Sequence, residues 1–150
     1  MAIDSVSPLT AIQALLVGLR DGGGNPILKA VDIGVPTTIG NTVGAYVALA
    51  GQRVKIKTQG SIIREADYYV GLCYQVVGAP SGAELALAAA LDAFIKAVYA
   101  DLTLGGLTGR LDLNLAVAST PIYQTIAAQE YRTMPAILTL VQYDTYNVTP

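Results

Sequence analysis

Between Ala66 and Tyr99 the apolar residues change period from two to about 3.6 across one short turn, which confines this stretch to a strand followed by a helix. Along the strand, residues 66–77, Tyr68, Val70, Leu72, Tyr74 and Val76 fall on one side. Asp67, Tyr69, Gly71, Cys73 and Gln75 fall on the other. The first side is apolar or aromatic throughout and the second is mixed. The pattern predicts a sheet with one face beneath a helix and the other turned toward a neighbouring subunit. Residues 78–81 turn the chain, and Ser81 precedes Glu84 by three residues, the spacing of a capping box. The helix is expected to run to about Tyr99. Leu87, Leu91, Phe94 and Val98 make its large apolar stripe, and Ala86, Ala89, Ala90, Ala93 and Ala97 permit close approach. Asp92 and Lys96 are an i,i+4 surface pair.

The flanks complete an α/β (α+β) reading. Ser7 is expected to cap an N-terminal helix with Pro8 at its first position, and Leu9, Ile12, Leu16 and Leu19 supply one buried face. Gly22, Gly23, Gly24 and Asn25-Pro26 end that helix in a flexible loop over 21–26. Short strands are predicted at 27–33 and 43–50, with turn residues Pro36 and Gly40 between them. Arg53, Lys55 and Lys57 alternate with Val54 and Ile56, so in a strand the bases share a face. A hairpin over 51–64, with a tip at 59–63, stays mobile until a partner holds it. Residues 111–118 place Leu111, Leu113, Leu115 and Val117 on one face. Residues 132–143 are apolar on both faces, which suits a central strand or one buried by oligomerisation. Pro135 requires a strand end, a bulge or an unpaired edge. No repeat or linker divides residues 1–150. The expectation is one small domain, with a mixed, mainly antiparallel sheet packed on an N-terminal helix and a long central Ala-rich helix. The tail, 144–150, is expected to be extended.

Composition narrows the chemistry. Hydrophobic residues make up 53% and charged residues 13%, against roughly 25% charged in an average domain. That excludes a largely disordered chain and suggests a surface partly covered by a partner. A net charge of −2 argues against nucleic-acid binding driven by bulk charge. Histidine is absent, so Ser-His-Asp and Cys-His catalysis are impossible within one chain. Cys73 is the only cysteine, which removes any intramolecular disulfide or Cys-based zinc cluster and fits intracellular synthesis. Asp4, Asp32, Asp67, Glu84, Asp92, Asp101 and Asp112 stand singly, and Gly22-Gly23-Gly24 lacks the Lys-Ser or Lys-Thr of a phosphate loop. No signal peptide or spanning run is expected, and the reading is a non-enzyme without cofactor or metal, away from membranes.

The order of these elements carries a resemblance. A capped helix, short strands, a basic hairpin, a Tyr-rich strand and an Ala-rich helix lead into Ala100-Asp101-Leu102-Thr103-Leu104-Gly105-Gly106. Tyr123 and the strand beginning at Arg132 follow. This resembles the tail terminator, or tail completion, family of long-tailed bacteriophages over nearly the whole chain, although no short motif is diagnostic alone. The resemblance implies a homo-oligomer of six copies, a ring that caps the tail tube and halts its polymerisation. It also implies a surface for the head connector. Expected partners are the major tail tube protein and a head-completion or connector protein, with DNA passing transiently through the lumen. The expected location is the head-proximal end of the virion tail, after synthesis in the host cytoplasm.

Under that resemblance, Arg53, Lys55 and Lys57, with Arg64 nearby, face the lumen or an acidic tube surface; ordinary solvent-facing strand chemistry is the alternative. Tyr69 is expected on the face away from the helix, at an interface or on the sheet surface. Tyr143 and Tyr146 extend into a neighbour or belong to a frayed tail. Asp101 and Thr103 organise the turn after the long helix, with Gly105 and Gly106 supplying its unusual backbone angles. Another head–tail connector, a tail-tube subunit and a small-molecule-binding module remain open alternatives.

Overall fold

The computed structural model describes residues 3–36, 42–58, 61–79, 81–115 and 122–145, with backbone alone at 56–58, 110, 115 and 144–145. Helix α1 spans Val6–Val17 and buries Pro8, Ile12 and Leu16. Its start differs from the expectation. Ser5, not Ser7, is the N-cap residue, and the Ser7 amide donates to Asp4 Oδ1 at 2.6 Å. A carboxylate before the first turn satisfies a free amide as well as a serine does, and proline is tolerated anywhere in that turn because its missing N–H has no helical partner to lose. Beyond the helix, the 21–26 loop is closed by local bonds rather than left open. Asp21 Oδ1 accepts from the Gly23 and Asn25 amides, both at 2.9 Å, and Arg20 bridges to Pro26.

Among the described residues the strands are β1 (Val31–Ile33), β2 (Gly44–Thr58), β3 (Ser61–Gln75), β4 (Arg110–Leu115), β5 (Ile122–Ile126) and β6 (Gln129–Thr145). Helix α2, Ala83–Ala100, joins β3 to β4. The sheet order is β1-β2-β3-β6-β4, with β5 also on β6; among the described residues the β1–β2 pair is parallel and the others are antiparallel. This is a single small domain with a mixed, mostly antiparallel sheet and the two expected helices.

Several strand boundaries are corrected. The strand expected at 27–33 shrinks to β1. Residues 43–50 and the basic stretch are one strand, joined by a register shift at Ala50. The tip expected at 59–63 is shorter, because Ser61, Ile62 and Ile63 already pair with β2 and β6. Gln59 and Gly60 lie outside the described residues, as do Gly40, Val117 and Ala118. Strand β5 was not anticipated. Pro135 sits in mid-strand opposite Gly71, and among the described residues β4 pairs with β6 as far as Ala136 and β5 from Thr133. Its missing N–H therefore falls between the described β4 and β5 ladders.

Both helices lie on one face. Ile12, Leu16, Leu87, Phe94 and Val98 share a single buried cluster with Val47, Tyr68, Val70, Leu72, Leu138 and Leu140. Phe94 has no exposed surface, and truncating such a side chain to alanine costs about 3–5 kcal/mol. The amino end of α2 is held differently from the expected capping box. Gly82 is the N-cap residue in a left-handed conformation, φ 84°, without a side-chain cap bond. Glu84 reaches the sheet instead, accepting from Tyr74 OH and from Arg132 Nη2, each at 2.9 Å. A glycine at the cap frees the glutamate from its usual backbone partner.

Candidate assembly surface

The face opposite the helices is formed on β3 by Ile63, Glu65, Asp67, Tyr69, Gly71 and Cys73, the mixed side of the predicted strand. A small second cluster lies at one end of it: Tyr46, Cys73, Ile126 and Tyr131 are buried, and Tyr69 packs against them. No helix residue takes part in this cluster, whose described members come from β2, β3, β5 and β6.

One bond spans these strands. Tyr46 OH on β2 donates to Gln124 Oε1 on β5 at 2.8 Å. Strands β3 and β6 lie between them, and a flat sheet would separate β2 from β5 by roughly 14 Å. A tyrosine and a glutamine lying over the intervening strands span about that distance through their hydrogen bond. Tyr46 also lies across Gly71, where a Cβ would come within 2.7 Å of Tyr46 Cε1. The missing side chain of Gly71 therefore makes room for the ring. Tyr46 and Tyr69 stack at 5.5 Å between centroids with a 36° tilt. Burial and the Tyr46 contact raise the Tyr69 hydroxyl above its ordinary value. Burial alone pushes the Cys73 thiol up to about 12. A thiol so held is a packing group, not a nucleophile.

The other end of the face is polar and already paired. Arg53 contacts Glu65 and Asp67, each at 3.2 Å, and Thr139 Oγ1 donates to Asp67 Oδ1 at 2.8 Å. The Arg53 and Thr139 bonds hold the Asp67 carboxyl below its ordinary value. Ile63, Ile137 and Val141 remain half-buried between or beside these groups.

The anticipated basic cluster does not form as expected. Arg53 is neutralised by two carboxylates, whereas Lys55 is exposed on the same face. Lys57 occupies a second register shift of β2, and its side chain lies outside the described residues. Arg64 is on the opposite face and only 3% exposed. Its guanidinium donates to Gln52 Oε1, the Asp4 carbonyl, Gln142 Oε1 and Ser5 Oγ at 2.8–2.9 Å. The pairing of Val54 with Arg64 sets that orientation: residues adjacent to Glu65 in sequence must point the other way. Arg64 thus binds the start of α1 to the sheet.

Tyr143 is half exposed, with its ring over Gly109. Tyr146 and the tail beyond it lie outside the described residues. The α2–β4 turn has the expected chemistry. The Gly105 amide donates to Asp101 Oδ2 at 2.9 Å and the Gly106 amide to the Thr103 carbonyl at 3.0 Å. Leu104, Gly105 and Gly106 all have positive φ, at 49°, 67° and 87°. Sequence reasoning missed Tyr46, Gln124, Ile126 and Tyr131. The alternation of Tyr46 within β2 was visible, but its partner three strands away was not.

Among the described residues no group of three or more His, Cys, Asp or Glu side chains is placed to hold a metal. Compared with known proteins, the chain matches no family model and no curated sequence.

Proposed function

We propose that this chain is a structural subunit of a phage tail, a terminator whose copies close into a ring on the tube. In this reading the ring stops tube polymerisation and offers its other side to the head connector. The observation that carries the assembly reading is the one-sided packing: both helices cover one face, while the other keeps half-exposed Tyr69, Ile137 and Val141 beside prepaired Arg53, Glu65 and Asp67. A face ordered before contact loses little side-chain entropy on binding. The phage assignment comes from the resemblance in element order, including the Asp101–Gly106 turn. The chemistry of this role is contact, with no reaction step and no cofactor.

The test is absolute mass by light scattering across concentration, alone and with assembled tail tubes, followed by electron microscopy. Sixfold rings, or monomers that become a single layer at a tube end, are expected. Tubes that lengthen without limit would transfer the assignment to a tail-tube subunit. A monomer that persists at all concentrations and ignores tube ends would overturn the assembly reading and direct attention to a ligand screen.

A further inference from the structure

Helix α2 is apolar nearly all round. Leu87, Ala90, Phe94 and Val98 are buried on the side that meets the sheet. Half a turn away, Leu85, Ala88, Ala89, Asp92, Lys96 and Tyr99 follow one another along the outer side at helical spacing. All six are exposed, Leu85 at 77% and Tyr99 at 72%. A surface helix carries polar groups along its outer side, whereas a helix apolar on both sides is normally covered on both. The two charges of this stripe, Asp92 and Lys96, stand at its middle. The i,i+4 pair expected of them does not form: among the described residues neither takes part in an ion pair.

We propose that this stripe is a two-fold contact, with α2 of one copy lying antiparallel on α2 of a second. An antiparallel pair centred at the level of Phe94 sets Asp92 of each copy against Lys96 of the other, because the two stand equally far either side of it. The acid and the base of the stripe therefore satisfy each other twice. The same centre sets Tyr99 of each copy against Ala89 of the other, again at equal distances along the helix. A large ring thus lies over a methyl group at both ends. Leu85 reaches the level of residues 102 and 103 of the second copy, where Leu102 is 51% exposed. Alanines at the crossing let two helix axes approach to about 8 Å.

The symmetry of the stripe selects a second copy as the occupant. In an isologous contact one patch meets itself, so every group must find its complement within the same patch. Opposite charges, and a large and a small residue, placed evenly about one level meet that requirement. The contact uses the helix layer alone. It is separate from the head-to-tail contact that closes a ring and does not rest on the ring reading. One helix from each copy buries a small area, which makes a reversible pair with a Kd on the order of micromolar.

Sedimentation of the full chain over a concentration series tests this with two charge variants. Lys96→Asp and Asp92→Lys each bring like charges together twice, and each is expected to weaken pairing by about tenfold or more. An equal mixture of the two variants restores both opposite-charge contacts and is expected to recover the pair. A second readout needs no variant. A zero-length carbodiimide should couple Lys96 of one wild-type copy to Asp92 of another, identified by mass spectrometry in a mixture of isotope-labelled and unlabelled copies. Variants that weaken association without recovery on mixing would overturn self-pairing and assign the stripe to a different partner surface. Unchanged association in folded Lys96→Asp, or an associated sample without the mixed-isotope link, would overturn the helix contact and leave the ring reading standing. A wild-type chain that is monomeric at every concentration would overturn it as well.

Discussion

Arg64 and Arg53 carry the same charge eleven positions apart, and the sheet gives them opposite tasks. Arg53 sits on the open face between two carboxylates, whereas Arg64 is buried among neutral oxygens that tie α1 to β2, β3 and β6. Removing a buried donor leaves its acceptors unsatisfied, at about 1–3 kcal/mol for each buried group. Arg64→Met is therefore expected to cost about 3 kcal/mol in urea unfolding. An unchanged midpoint would mean that water or rearrangement satisfies those oxygens. Cys73 gives a second prediction at this scale. Fully buried, with its thiol pushed up to about 12, it should resist an alkylating reagent at neutral pH until the protein unfolds. Rapid labelling without loss of fold would contradict the packing of the tyrosine cluster. Neither role could be read from residue type, because alternation assigns a side chain to a face without identifying what covers that face.

Elements differ in how plainly their residues announce them. The long α2 helix was legible because Leu87, Phe94 and Val98 repeat at helical spacing, and they are buried as expected. The β5–β6 hairpin was not, because its turn is Ala127-Ala128, with φ of 49° and 64°. Such turns favour Asn-Gly, since positive φ crowds the Cβ of other residues. Replacing Ala127 by Asn and Ala128 by Gly should stabilise the domain by about 1 kcal/mol, raising Tm by about 2–4 °C. A lower melting temperature would show that the methyl groups contribute packing there. Strand β2 illustrates a different difficulty. Its bulge at Ala50 reverses the alternation, so Tyr46 and Arg53 share the open face despite opposite parity in sequence. A strict period of two splits that strand into two pieces.

At the scale of the whole molecule, acid sensitivity should follow the carboxylates engaged in the fold. The Arg53 and Thr139 bonds depress Asp67 below 3.8, and the Ser7 amide depresses Asp4 from the same value. A depressed carboxyl contributes stability above its unfolded value, and that contribution disappears as pH falls through the lower folded value. Stability from these two groups is thus expected to be level above about pH 5 and to decline below about pH 4. Asp67→Asn should make the decline shallower in acid titrations of the unfolding midpoint. An equally steep decline would assign the acid response to other carboxylates. The sequence by itself determined the class of the molecule: apolar spacing selected two helices and a mainly antiparallel sheet, and the Asp101–Gly106 turn was readable from local hydrogen-bonding and backbone preferences. Tertiary structure decided which arginine is buried, where Pro135 is tolerated, and how Tyr46 reaches Gln124. Those outcomes depend on strand order and register, which bring together residues 78 positions apart and have no local signature in the chain.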